Sequence, residues 1–393
     1  MTSAIQQESA GTALVLRELR LRNFRNFAAL DLQVPEAGAA IIGDNGSGKT
    51  NLLEAIHYLE IFRSFRGAAD EQLVRFGAEA FHVRGVFEDR ATRRSLEITA
   101  AYEPRTRRKR VTVDGVEAER LGDAIGRLGT VIFSPSDVDI VAGAPGERRR
   151  FLDIVLSLNV RGYLDALQRY RQVLRQRNAM LRDGRTGEAL TAWDAGLIES
   201  GSTVIAARAA WVRSHAERFA RIYDAIGAAG PAHLAYDSDV NREDGESHDA
   251  VAASFDARLQ RVAQRERERG VTLAGPHRDD LALLMRSGDS DVDVRQYGSG
   301  GQVRTGAIAL RMVEAETVRE SRGFQPLLLL DDVFAELDVG RSRRILELFR
   351  GDRHGQVILT APKESDVLVD EAGDDALVAP LAHWRIAAAE VFT

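Results

Sequence analysis

Three glycines, a lysine and a hydroxyl stand at the spacing G-x-x-x-x-G-K-[ST] in Gly43-Asp44-Asn45-Gly46-Ser47-Gly48-Lys49-Thr50. Phosphate binding requires these residue types in this order. Backbone N–H groups at a helix start carry partial positive charge and wrap an oxyanion. The lysine ammonium reaches the β- and γ-phosphates, and the hydroxyl after it holds Mg²⁺. The expected ligand is a nucleoside triphosphate, ATP, bound by Gly43 through Asn51. Lysine otherwise occurs only at 109 and 363, so its presence in this slot is informative.

A second group of chemical residues lies far along the chain. Leu327-Leu328-Leu329-Leu330 precedes Asp331-Asp332, as in a buried strand whose carboxylates emerge beside a bound nucleotide. Asp331 is expected to hold Mg²⁺ directly or through water. Asp332 is expected to orient the attacking water and accept its proton. Between the two groups, Gly298-Ser299-Gly300-Gly301-Gln302 opens a helical pattern through Val303, Ala307, Leu310 and Val313. ABC-type ATPases carry their signature at this point in the order. In that class the signature of one protomer closes over the nucleotide of the other, so Ser299, Gly300, Gly301 and Gln302 are expected to act in trans. Lys49, Asp332 and Ser299 form the catalytic set on this reading.

The elements that position these groups follow from the flanking patterns. Ala39-Ala40-Ile41-Ile42 reads as a buried strand into the glycine loop, and Leu52, Ala55, Ile56 and Leu59 share one face of the helix after it. Leu14 to Val34 predicts a hairpin, and alternation across residues 79 to 113 predicts an antiparallel side sheet. The turn Arg105-Thr106-Arg107-Arg108-Lys109-Arg110 is strongly basic. It fits a solvated hairpin tip and a phosphate contact equally well. Thr130-Val131-Ile132-Phe133 and Gln356-Val357-Ile358-Leu359-Thr360 are further core strands. Residues 147 to 230 are helical in pattern, Asp237 to Asp249 reads as a mobile acidic loop, and Val251 to Arg269 is a last charged helix. Strands are expected at Val271-Thr272-Leu273 and Leu281-Ala282-Leu283-Leu284. The resulting organisation has two ATPase segments, 12–135 and 271–393, around a helical lobe at 136–270.

Composition narrows the classes. The 393 residues, 44% hydrophobic and 28% charged, suit folded domains, and a net charge of −6 excludes a uniformly basic nucleic-acid binder. Any DNA surface must then be local. Ten arginines against three aspartates between Arg148 and Arg185 supply one, a surplus of seven positive charges, and favour DNA contact there. No cysteine is present, which removes disulfides, thiolate metal sites and cysteine nucleophiles. No apolar run approaches a membrane span, so a cytoplasmic protein without a membrane partner is expected. Met1 to Gly11 reads as a frayed tail.

Taken together the motifs resemble the RecF family, the recombination mediators related to SMC and Rad-type chromosome ATPases. The resemblance covers nearly the whole chain from about Leu16. It rests on Asn23-Phe24-Arg25-Asn26, on Gly43 to Ile56, on Arg63-Ser64-Phe65-Arg66, Phe133-Ser134-Pro135 and Arg148-Arg149-Arg150-Phe151-Leu152-Asp153. Gln176-Arg177-Asn178, Gly275-Pro276-His277-Arg278-Asp279-Asp280 and Leu329 to Asp338 complete it. It implies an α/β fold, an ABC-type, SMC-like P-loop ATPase head with an antiparallel side sheet and an inserted helical lobe. It also implies a weak, DNA-stimulated ATPase that dimerises on ATP and binds double-stranded and single-stranded DNA. With RecO and RecR it would promote RecA loading in recombinational repair. Two departures accompany this: no Gln occupies the Phe133-Ser134-Pro135 turn, and Thr360 stands where many ABC ATPases have a histidine. Both fit a slow ATPase. For His277 a structural and a functional role both stand. A transport ATPase subunit shares the motifs, but lacks the large helical lobe between Lys49 and Ser299. A long-coiled-coil ATPase needs a longer insertion, and a nucleotide-gated scaffold differs only in whether Asp332 catalyses.

Overall fold

The computed structural model describes residues 12–185, 188–227, 230–240, 247–334, 339–351, 355–363 and 381–392. The terminal tail expected over Met1 to Gly11, residues 241–246 of the acidic loop and the Ala335 to Asp338 part of the last motif lie outside these residues. The chain divides into two compact units, one running to Ser136 and resuming at Glu314, the other spanning Asp137–Val313.

The first unit begins with β1 (Thr12–Phe24), β2 (Phe27–Gln33) and β3 (Gly38–Ile42), then α1 (Lys49–Ile61). Strands β4 (Phe81–Asp89), β5 (Ser95–Glu103), β6 (Arg108–Val113) and β7 (Val116–Glu117) follow, then α2 (Leu121–Ala124) and β8 (Thr130–Phe133). Alternation in β4 points Phe81, Val83 and Phe87 inward, the period-two pattern that one buried sheet face requires.

The second unit starts with α3 (Val138–Ala142), α4 (Pro145–Asn159), α5 (Tyr163–Arg182) and the 38-residue α6 (Glu188–Ala225). After β9 (Ala232–Asp237) come α7 (His248–Arg269), β10 (Asp280–Ser287), β11 (Ser290–Asp293) and α8 (Val294–Tyr297). Helix α9 (Gly300–Arg322) starts here and ends in the first unit. This unit is longer than the 136–270 lobe expected, because β10 pairs antiparallel with β9 on one side and β11 on the other. Val271-Thr272-Leu273 is not a strand. Asn178 Oδ1 accepts from the Thr272 N–H at 2.8 Å and Glu266 Oε1 from the Leu273 N–H at 2.7 Å, so side chains take the place of a ladder. A separate core of Tyr170, Leu197, Ile205, Phe255, Leu259 and Leu273 holds the helices together.

Back in the first unit, β12 (Phe324–Gln325), β13 (Leu327–Leu330), α10 (Val339–Gly351), β14 (Val357–Ala361), β15 (Ala382–Ala387) and β16 (Glu390–Phe392) complete the described elements. Two sheets result. One is ordered β12-β1-β4-β5-β6-β7 with β2 on β1, and the other β16-β15-β3-β14-β13-β8. In the second sheet β15, β3, β14, β13 and β8 all run parallel, so the ends of β3 and β13 emerge at one edge with β14 between them. Helix α1 shares a core with residues of both sheets, among them Leu19, Phe81, Ile98, Ile132, Leu329 and Ile358. Its predicted single apolar face is therefore an underestimate: Leu52 through Glu60 are all buried.

Burying α1 on all sides obliges its polar residues to find partners. Arg25 grips Glu54 with two bonds, Nε to Oε2 at 2.8 Å and NH2 to Oε1 at 2.9 Å, and the Ser64 hydroxyl donates to the same carboxylate. Glu60 accepts the N–H groups of Leu128 and Gly129 at 2.8 and 3.2 Å, while burial pushes its pKa up to about 7. Gln356 ties the parallel sheet to β1: its Nε2 donates to Leu16 O and Pro35 O, and its Oε1 accepts from the Leu16 N–H at 2.7 Å.

Candidate functional site

The glycine loop lies between β3 and α1, at the edge where the parallel strands end. Its glycines are there for shape. Gly48 has φ +117°, and a Cβ at that position would lie 2.7 Å from Asn26 Nδ2. Gly46, at φ +83°, has no atom within 4 Å of where a Cβ would be, which leaves that part of the loop open. Lys49 is 4% exposed, and its ammonium donates to Gly43 O at 2.6 Å and Asp44 O at 3.3 Å. Ser47 Oγ is buried without a hydrogen-bond partner, so the loop contains a hydroxyl donor available to a phosphate oxygen.

The two halves of the sequence-predicted site meet at Thr50 and Asp331. Thr50 Oγ1 donates to Asp331 Oδ1 at 2.9 Å, across 281 positions of sequence. Burial raises the Asp331 pKa, the Thr50 hydroxyl opposes this, and the neighbouring Asp332 charge adds to it. Asp332 follows with φ +45°, an uncommon conformation for a residue with a side chain, and Thr360 of β14 braces it. The Asp332 N–H donates to Thr360 Oγ1 at 3.0 Å, and that hydroxyl lies 3.0 Å from Asp331 Oδ1 and 3.3 Å from Asp332 Oδ1. Among the described residues no group of three or more His, Asp or Glu side chains gathers as a self-contained metal site.

A supporting layer was not legible as such in the sequence. The β1–β2 turn brings Asn26 to the loop, where its Nδ2 donates to Ser47 O at 3.2 Å and its Oδ1 accepts from Asn51 at 2.8 Å. The NH1 of Arg66 lies 3.4 Å from Asn51 Oδ1. Asn23 to Asn26 and Arg63 to Arg66, which the sequence marked only as motifs carrying the family resemblance, thus converge on the start of α1.

Ser299 and Gln302 stand in the second unit at the start of α9 as a reciprocal cap. The Ser299 N–H donates to Gln302 Oε1 at 2.8 Å, and the Gln302 N–H to Ser299 Oγ at 3.3 Å. Gly300 and Gly301 form the first helical turn beside an exposed Ser299.

The basic stretch separates into two populations. Arg148 pairs with Asp280, Arg169 with Glu199, Arg171 with Asp153, and Arg177 with Asp194 and Glu266. Arg149 donates to Asp279 O at 2.7 Å. Five of the ten arginines therefore brace the unit internally. Arg150, Arg161, Arg175, Arg182 and Arg185 are exposed and have no ion pair among the described residues. His277 is held at both ring nitrogens, by Tyr170 OH at 2.6 Å and Thr272 O at 3.2 Å, and burial pushes its pKa down to about 4. These bonds give His277 a structural role.

The parallel sheet with a phosphate loop, the antiparallel side sheet and the helical insertion define an ABC-type ATPase head of the SMC kind. The family model described as the RecF/RecN/SMC N terminal domain matches residues 15–374. A Smc head structure from Pyrococcus furiosus shares this fold, with a TM-score of 0.54 over 95% of this chain and 94% of that one at 15% identity. Nearer relatives are the DNA replication and repair protein RecF of Salinibacter ruber, 36% identical over 89% of this chain and 85% of that one, and that of Chlorobium phaeobacteroides, 35% identical over 89% and 96%. A structure of the recombination mediator protein RecF with ATP, in the RecFOR pathway, aligns with a TM-score of 0.86 at 29% identity, over 98% of this chain and 99% of that one. The chain belongs to the RecF family. Among its described residues no helix is long and apolar enough to cross a membrane.

Proposed function

We propose that this chain binds ATP with Mg²⁺, pairs with a second copy of itself around the nucleotide, and couples slow hydrolysis to the holding of DNA. The observation that carries this reading is the 2.9 Å contact between Thr50 Oγ1 and Asp331 Oδ1. Adjacent ligands of an octahedral Mg²⁺ at about 2.1 Å are separated by about 3 Å, so these two oxygens suit one edge of its coordination shell. Two protein oxygens leave the other positions to phosphate and water, the usual division for this ion. When bound, Mg²⁺ draws charge from the β- and γ-phosphate oxygens.

The chain's own residues divide the remaining work. The amides of Gly43 through Asn51 and the Lys49 ammonium hold the phosphates, and Asp332 accepts a proton from the water that attacks the γ-phosphorus as the bond to ADP breaks. Ser299, Gly300, Gly301 and Gln302 offer amides and a hydroxyl to the partner's nucleotide, so that two copies share two sites. Thr360 supports slow turnover, because a hydroxyl cannot carry positive charge toward the γ-phosphate as an imidazolium can. The family relationship supports duplex and single-stranded DNA as ligands, RecO and RecR as partners, RecA loading at gapped or junction DNA as the outcome, and a cytoplasmic location.

The test is to size the protein with ATP, ADP or neither, each with and without duplex DNA, alongside an Asp332→Asn variant. ATP alone should produce dimers. Asp332→Asn keeps the shape and removes the proton acceptor, so its turnover should fall by about 100-fold or more while the ATP dimer persists. Monomers under every condition, or parental turnover in the variant, would refute the corresponding part.

The free arginines of α5 provide a separate expectation. Arg175 and Arg182 are two helical turns apart and have no ion pair among the described residues, whereas Arg171 is committed to Asp153. Replacing Arg175 and Arg182 by alanine should weaken binding to all duplexes and lower the log–log salt slope by about two. A salt titration with an unchanged slope would return these residues to ordinary solvated surface.

A further inference from the structure

The segment Gly275-Pro276-His277-Arg278-Asp279-Asp280 takes no part in the ATP chemistry above, yet nearly all of it is fastened. Gly275 has φ +117°, and a Cβ there would lie 2.6 Å from Phe255 and 2.7 Å from Tyr170 OH. Pro276 O accepts from Arg208 at 2.7 Å. Thr272 O can only accept, so neutral His277 donates to it through Nε2 and receives the Tyr170 hydroxyl at Nδ1. Asp279 accepts from Tyr236 at 2.5 Å and Ser238 at 2.8 Å, and Asp280 pairs with Arg148 through two 2.7 Å bonds.

Arg278 is the exception. Its side chain is exposed and makes no hydrogen bond or ion pair with any described residue. Arg149, beside this segment, donates to the carbonyl of Asp279 and has no ion pair among the described residues. The neighbouring carboxylates are already occupied: Asp153 by Arg171 and Arg208, Asp239 by Arg258, Asp280 by Arg148. The fastened backbone on either side therefore sets where the Arg278 side chain leaves the surface, while its guanidinium is left to solvent.

We propose that Arg278, with Arg149 beside it, is a phosphate contact for the DNA backbone. A guanidinium fork matches a phosphate in geometry as well as charge. Like charges without ion pairs suit a ligand that repeats its charge every few ångströms, and the free arginines of α5 in the same unit extend that preference. The inference rests on the DNA-binding reading and adds to it a specific residue on a preorganised loop, outside the Arg148 to Arg185 stretch.

The experiment is fluorescence anisotropy of a labelled duplex titrated with the full chain over a series of salt concentrations, together with ATP binding by each variant. Arg278→Ala should bind the duplex about three- to tenfold more weakly near 0.15 M salt and lower the log–log salt slope by about one. Arg278→Lys should keep the slope and recover part of the affinity. ATP affinity and melting temperature should match the parent, because the exposed side chain makes no hydrogen bond or ion pair with any described residue. If the parent binds duplex and Arg278→Ala binds it equally, the site is wrong and the DNA-binding reading stands. If ATP affinity falls instead of DNA affinity, the phosphate belongs to the nucleotide and the proposal fails. A parent that binds no duplex overturns both.

Discussion

Lys49→Ala is expected to lose ATP-dependent dimerisation and ATP-dependent DNA retention together. Lys49 is 4% exposed and its ammonium is held at the loop by two carbonyls, a fixed position at low dielectric from which it is proposed to meet the phosphates. A charged hydrogen bond of this kind contributes about 1.5–3 kcal/mol, or roughly a tenfold to hundredfold change in ATP affinity. The effect on turnover should be larger, because the same charge offsets what develops on the transferring phosphoryl group. Lys49→Met keeps the aliphatic stem and separates lost charge from lost packing. ATP titration and size-exclusion chromatography check the result, and ATP-induced dimers of Lys49→Ala at parental nucleotide concentrations would contradict it.

The second large effect is expected from mixing two inactive variants. Ser299→Arg introduces a bulky side chain at the start of α9, where the partner's γ-phosphate is proposed to dock, and it leaves the phosphate loop of its own chain intact. Alone it should bind ATP but neither dimerise nor hydrolyse. Lys49→Ala alone should also be inactive. In a mixed dimer, one shared site collects both lesions while the other joins an intact Lys49 to an intact Ser299. The mixture should therefore recover ATPase activity that neither variant has by itself, up to about half of the parental value if mixed dimers predominate. Two outcomes would sink the shared-site architecture: full activity in Ser299→Arg alone, or no recovery although mixed dimers are demonstrated by cross-linking.

Among the arginines of α4 and α5, sequence supplied a count and structure supplied a division. A surplus of seven positive charges between Arg148 and Arg185 says that cations concentrate there, and nothing in the count says which are neutralised from elsewhere. Asp280 and Glu266 come from distant segments and, with Asp194 of the next helix, consume Arg148 and Arg177, which are only 3% and 2% exposed. A pattern rule cannot register this, because an ion pair depends on distance in space and carries no sequence period.

What the sequence determined by itself was whatever short-range stereochemistry enforces. The glycine loop has to follow a strand and open a helix, so Ala39 to Thr50 could be read directly. The alternation in β4 through β6 and the four leucines before Asp331 announced their strands for the same reason, since burial on one face or on both imposes a local period. Tertiary structure alone decided where local patterns were silent. Thr272 satisfies its backbone through Asn178 rather than a ladder, so a triplet with strand propensity is not a strand. Helix α1 is buried all round because two sheets close on it, which is why Arg25 and Ser64 must serve Glu54. Thr50 meets Asp331 only because β14 spaces β3 from β13 in a parallel sheet, with Thr360 placed between the halves of the site by the register Ile41 to Thr360 and Leu330 to Leu359. That register is set by hydrogen bonds between separate segments, Ile41 and Thr360 lying 319 positions apart, and no period within any one of them encodes it.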